Sequence, residues 1–209
     1  MNRYITALLM AVAGLVSGQD TEPNKSSFIW AHLPGGVSLD VPRGWVFTSG
    51  DEKRLLETYA ESIWDLTKIP HGKGGMLLGA TAPASTGYMS ITVVFERKQT
   101  GTQQQLQQIS PSQLAQLDKQ NRKDLEAESN LNGLKLISWE GTTVEKIGGH
   151  WALMKRYTYT LPGMAPRKME NCGFFLGDKL VSLLFQSGEK TLVPAKPIFE
   201  RVKSSVTFE

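Results

Sequence analysis

The sequence predicts an α+β fold, an antiparallel β-sheet flanked by helices, preceded by a signal peptide. Three observations carry this. Apolar residues alternate at period two in several short runs, most densely in the last third of the chain. Two stretches, one opened by Asp51 and one by Ser110-Pro111, place their apolar residues at helical spacing instead. The order is strands, helix, strands, helix, many strands and a closing helix, which does not fit the regular alternation of a parallel sheet.

The chain opens on an export leader. Arg3 supplies a positive flank, Ile5 to Val16 is an apolar run of twelve residues, and Val16-Ser17-Gly18 ends it with small residues. This is the layout of a cleavable secretory signal. A membrane-spanning helix needs about 20 apolar residues, so the run is too short to span. The expected organisation is a signal peptide over 1–18, a flexible polar arm over 19–27 and a single domain over 28–209. No Cys stands at the cleavage point to carry a lipid anchor, so no integral span is expected after cleavage; an uncleaved leader acting as a weak tether is the alternative. The expected location is periplasmic or secreted.

Composition narrows the function. Hydrophobic residues make up 40% of the chain, enough for a core. The net charge is +3, and removing Arg3 with the leader lowers it further. No dense Lys/Arg cluster offsets that balance, so nucleic acid is not an expected partner. Cys172 is the single cysteine, so no intramolecular disulfide forms.

The elements follow in order. Phe28 to Leu33 is a short apolar piece stopped by Pro34-Gly35-Gly36. Val37 to Val41 alternates as a half-buried strand, and Pro42 ends it because proline cannot donate to a ladder. Gly44 permits a tight exit that folds the Trp45 ring back over the core edge. A helix capped by Asp51 follows, with Leu55, Leu56, Tyr59, Ile63 and Leu66 on one face. Met76 to Thr81 and Tyr88 to Glu96 are strands joined by a turn over Pro83 to Gly87. Ser110-Pro111 starts an exposed helix to about Ser129, packed by one narrow edge through Leu114, Leu117 and Leu125; Asn132-Gly133 stops it. Leu134 to Trp139 and Thr142 to Ile147 are two strand candidates separated by Glu140-Gly141. Gly148-Gly149 turns the chain into His150 to Leu161. Met169 to Leu176 and Leu180 to Gln186 form a hairpin, and Pro194 and Pro197 begin a closing helix with Ile198, Phe199 and Val202 inward.

Several of these segments resemble PsbP-like domains. Leu39 to Trp45 is similar to their opening strand, proline, glycine and tryptophan; Ile147 to Ala152 resembles the glycine turn into their central hairpin. Phe174 to Phe185 and the helix ending at Ser204-Ser205-Val206 resemble their closing hairpin and helix. The resemblance spans roughly Val37 to Phe208 and points to the exported bacterial DcrB/PsbP-like group of the superfamily. It implies an antiparallel sheet between helices and a mostly non-catalytic accessory role. It carries over no partner site.

The residue patterns that carry chemistry elsewhere are weak in this chain. His32, His71, His150 and Cys172 are not at the short spacings of metal motifs. Cys172 lies in an apolar strand beside Phe174 and Phe175, where thiols are usually inert. Gly72, Gly74 and Gly75 straddle Lys73, but the segment leaves a helix for a strand, the reverse of a phosphate loop. Glu126 and Glu128, like Asp51 and Glu52, read as solvated helix faces. No catalytic residue, metal site or cofactor is therefore expected. Tyr157 and Tyr159, two apart in a strand, share one sheet face. With Leu114, Leu117 and Leu125 they are the candidate binding residues. The expected function is a non-catalytic exported accessory protein that binds a protein partner of the cell envelope. The alternatives are a small-molecule or lipid carrier, with sheet and helix enclosing an apolar pocket, and a hydrolase using Cys172 and His150.

Overall fold

The computed structural model describes residues 28–48, 50, 74–97 and 101–209. The expected leader, the arm, the helix capped by Asp51, and His71, Gly72 and Lys73 lie outside these residues.

Among the described residues the strands form two sheets, antiparallel throughout. The small sheet has the order β1 (Phe28–Leu33), β2 (Val37–Pro42), β10 (Thr207–Phe208). The large one runs β3 (Val46–Phe47), β4 (Gly74–Thr81), β5 (Met89–Arg97), β9 (Lys179–Gly188), β8 (Arg167–Leu176), β7 (His150–Thr160), β6 (Lys135–Ile147). The described α-helices are α1 (Gln103–Gln107), α2 (Pro111–Asn132) and α3 (Leu192–Ser205).

Strand alternation gives the large sheet two apolar faces. On β8, Cys172 and Phe174 point to one side, and Met169 and Phe175 to the other. The first side packs on Val37, Leu39 and Val41 of β2 and on Ala195, Phe199 and Val202 of α3. The second carries two smaller clusters, one reached by Leu125 of α2 and one by Leu106 of α1. The expected α+β arrangement is therefore observed, with a second small sheet that the sequence did not announce. Its last strand, β10, is two residues long and pairs with Ser38 and Val37.

The alternating pattern of β2 implied one wet face, yet all six of its residues are buried. The strand is the middle one of its sheet, under α3, and its polar side chains are satisfied. Ser38 Oγ lies 2.9 Å from His32 Nδ1, the Asp40 carboxylate meets Arg201 at 2.6 Å, and the Asp40 N–H donates to Ser205 Oγ at 2.8 Å. Trp45 closes this edge and is buried in the same cluster, as expected.

The exposed helix forms for the expected reasons. Ser110 accepts from the Gln113 N–H while Gln113 returns a bond to the Ser110 N–H, a capping box worth about 1 kcal/mol. Gly133 ends the helix at φ 67°, where a side chain would be strained. The glutamine-rich stretch before it is a helix as well. Thr102 and Gln105 form a second capping box, and Gln103 reaches the sheet end. Its Oε1 accepts from the Trp151 N–H at 2.6 Å, and its Nε2 donates to the carbonyls of Trp151 and Phe175.

One expectation needs correction. Leu134 to Trp139 and Thr142 to Ile147 are one strand, β6, not two. Ile137 and Glu140 are extra residues in the ladder to β7, so Glu140-Gly141 is a bulge rather than a break.

Candidate functional site

The predicted residues fall around α2 and the strands it covers. Tyr157 and Tyr159 sit on one face of β7, as their spacing required, and both are buried. Leu125 joins them with Leu134, Leu161, Met169 and Leu184. Leu117 packs instead against the neighbouring cluster of Leu106, Leu153, Phe175 and Leu180. Leu114 is half-buried. Burial pushes the Tyr159 phenol up, and its hydroxyl donates to Gln186 Oε1 at 2.7 Å. Tyr157 stacks under Trp139 with centroids 6.0 Å apart and planes 18° apart. The aromatic row thus runs from the core at Tyr159 through Tyr157 to Trp139, which is half-buried.

Polar anchors hold α2 above this row. Asp118 Oδ1 accepts from Trp139 Nε1 at 2.9 Å and from the Thr142 N–H at 2.6 Å, and Asn121 Nδ2 donates to Thr142 Oγ1 at 3.2 Å. Toward its C-terminal end the helix and the start of β6 leave a groove of about 420 Å³. Its lining includes Arg122, Glu126, Leu136, Ile137 and Trp139. Ile137, the first bulged residue, is 49% exposed. Neither Ile137 nor Trp139 was among the candidate binding residues. The missed signal was the Glu140-Gly141 interruption: read as a bulge, it keeps Trp139 in register opposite Tyr157.

The opposite sheet face, under α3, carries a charge network. Glu170 Oε1 bonds Lys203 Nζ at 2.6 Å, and its Oε2 bonds Arg156 Nε at 3.0 Å. Lys203 also meets Glu200 at 2.7 Å, and Arg156 meets Glu145 at 2.8 Å. Burial alone would push the Glu170 carboxyl up; Lys203 and Arg156 outweigh it and hold the group below its usual range. Burial alone would pull Lys203 down; Glu170 and Glu200 reverse that, and its proton is held more tightly than usual.

The reactive groups considered for hydrolysis are apart. Cys172 is fully buried opposite Met154, four residues along β7 from His150, and burial raises its thiol well above the ordinary value. The His150 ring sits edge-on to Phe208, and His32 is bonded to Ser38. Among the described residues no three His, Cys, Asp or Glu side chains gather to hold a metal. Gly74 and Gly75 belong to β4, paired with Glu96 and Phe95, so they are ladder residues and not a loop. Among the described residues no helix is long and apolar enough to cross a membrane.

These layers define an α+β protein of the PsbP-like fold. The cyanobacterial PsbP (CyanoP) of Synechocystis sp. PCC 6803 matches with a TM-score of 0.54 at 12% identity, over 92% of this chain and 98% of that one. Mycobacterium tuberculosis LpqN, described as involved in cell envelope biogenesis, matches with a TM-score of 0.45 at 14% identity, over 88% and 91% of the two chains. The Saccharomyces cerevisiae Ran-binding protein Mog1p matches with a TM-score of 0.41 at 10% identity, over 86% and 87%. No family model and no curated protein sequence matches the chain.

Proposed function

We propose that this is an exported, non-catalytic accessory protein that binds a protein partner in the cell envelope through the groove between α2 and β6. The observation that supports it is the groove itself: an exposed isoleucine on a bulge, an aromatic floor at Trp139, and Arg122 with Glu126 on the helix wall. Aromatic side chains backed by a rigid core make the strong contacts of interfaces. Tyr157, Tyr159 and Leu125 serve this reading as the support beneath Trp139, while Leu117, with half-buried Leu114 one turn before it, packs nearer the other end of α2. The two bulges interrupt the first half of the edge strand, which disfavours strand addition there and favours side-chain docking. Export rests on the leader pattern of residues 1–18.

The test places a photo-crosslinking residue at Ile137 of the full chain, expressed in its own envelope. One discrete protein adduct is expected. It should persist when exposed Val193 is replaced by Asp and vanish for the Arg122→Glu variant, whose fold is checked by circular dichroism. An adduct indifferent to Arg122→Glu, or protein recovered only from cytosol with Met1 intact, would overturn the proposal.

A further inference from the structure

A second concave site lies under α3, on the sheet face opposite the one α2 covers. It is a cleft of about 490 Å³, a size that falls in the range of roughly 300–1,000 Å³ typical of small-molecule sites. Its floor is apolar and rigid: Phe185 and Phe199 are buried with ring centroids 5.0 Å apart. Its wall is the first turn of α3, where Leu192 is 41% and Val193 83% exposed. Two neighbouring apolar side chains left this open beside a preformed cleft are unsatisfied by the protein's own packing.

The charges on the lining decide what fits. Both oxygens of Glu170 are taken, one by Lys203 and one by Arg156. Glu200 is bridged to the same Lys203. Each lining carboxylate therefore has a cation partner, although Glu145, Glu170 and Glu200 share only Arg156 and Lys203. The lining cations are less committed. Lys168 is held by a surface bridge to Glu140, the kind of pair that contributes little and exchanges readily. Lys196 is exposed and pairs with no carboxylate among the described residues. The cleft thus offers open apolar surface beside Lys196, a lining cation with no carboxylate partner among the described residues.

We infer that this cleft binds a small monoanionic amphiphile, an alkyl or aryl carboxylate, with its chain on Phe185 and Phe199 and its carboxylate paired to Lys168 and Lys196. A cationic amphiphile meets two ammonium groups there, and a neutral one leaves them unused. The site is independent of the groove between α2 and β6.

The experiment titrates the full mature chain with octanoate, octan-1-ol and octylammonium, followed by amide chemical shifts and calorimetry. Octanoate should shift Phe185, Ser187, Val193 and Lys196. Octan-1-ol should bind about ten-fold more weakly, the worth of one charge-assisted contact, and octylammonium more weakly still. The Lys168→Gln/Lys196→Gln variant should bring octanoate down to the octanol affinity and leave octanol unchanged. Val193→Asp, at an exposed position and with its fold checked by circular dichroism, should abolish both. Equal binding of octanoate and octanol, shifts confined to other residues, or no shift at millimolar ligand would each overturn the inference. None of these outcomes bears on the Ile137 adduct.

Discussion

Removing the Glu170 carboxylate should cost more than any other single charge change. Lys203 is 5% exposed, and among the described residues its remaining carboxylate partner without Glu170 is Glu200, itself on the helix surface. Breaking a buried pair from one side costs about 3–5 kcal/mol, because the partner's charge stays desolvated. The Glu170 side chain is 18% exposed, so the lower end applies, about 3 kcal/mol. In a chain of 209 residues that lowers Tm by about 6–12 °C. The pH dependence has a definite sign. Glu170 titrates lower when folded, so its contribution is complete above the unfolded carboxyl value of about 4.3 and is lost as pH falls through the folded one. Lys203 titrates higher when folded, so its contribution is complete below about pH 10.4 and is lost as pH rises beyond it. Urea unfolding of wild type and Glu170→Gln should therefore differ most near pH 7, with the gap closing toward pH 3. The Glu170→Leu/Lys203→Met double variant should regain most of the loss. A gap of the same size at both pH values, or one below about 0.5 kcal/mol at pH 7, would refute the electrostatic account.

Three further outcomes are expected. Asn171 is 1% exposed and neither of its side-chain amide atoms finds a hydrogen-bond partner among the described residues, so Asn171→Val should be neutral or raise stability by about 1 kcal/mol; a clear loss in urea titration would show the amide is engaged. Gly148→Ala should destabilise by about 1–3 kcal/mol, because φ is +55° and the new methyl would meet the Val206 carbonyl; an unchanged melting curve counts against this. The Cys172 thiol should resist aromatic disulfide reagents in the native state and react at the rate of unfolding, so rapid labelling of folded protein would contradict its burial.

The helix α2 was legible in the sequence because its signals are local: Ser110-Pro111 opens it and Asn132-Gly133 stops it, each pair readable without knowing the rest of the fold. The hairpin of β8 and β9 was legible because its alternation is strong and Gly177 marks the turn. The bulges of β6 were not, because an inserted residue looks like a break in alternation until the partner strand is known. The burial of Ser38 and Asp40 was hidden for a similar reason: their partners His32, Ser205 and Arg201 come from other elements. Tyr157 and Tyr159 were rightly placed on a common face. That the residue reaching the surface from that row is Trp139 depends on a pairing across β6 and β7 that composition does not contain.

The two helices are held by different kinds of contact, and this is measurable. α3 commits Ala195, Phe199 and Val202 to the main core and adds the Lys203 bond to Glu170. At about 1.5–3 kcal/mol for each large apolar side chain, Phe199 and Val202 alone contribute about 3–6 kcal/mol. Among its described side chains α2 buries one large apolar residue, Leu125, worth about 1.5–3 kcal/mol on the same scale, with polar anchors at Asp118 and Asn121. Net gains from such hydrogen bonds are about 1 kcal/mol each, so the three anchors contribute about as much as Leu125, and α2 depends on polar contacts far more than α3 does. Sub-global opening follows the contacts that hold an element in place. Asp118→Asn, which keeps one acceptor but loses the charge, should therefore lower the opening free energy read from α2 amide exchange without moving that of α3. A partner seated between α2 and β6 would then slow α2 exchange selectively. An α2 opening free energy unmoved by Asp118→Asn would mean that α2 draws its stability from somewhere other than its visible contacts, and the groove beside it would lose its claim to be adaptable.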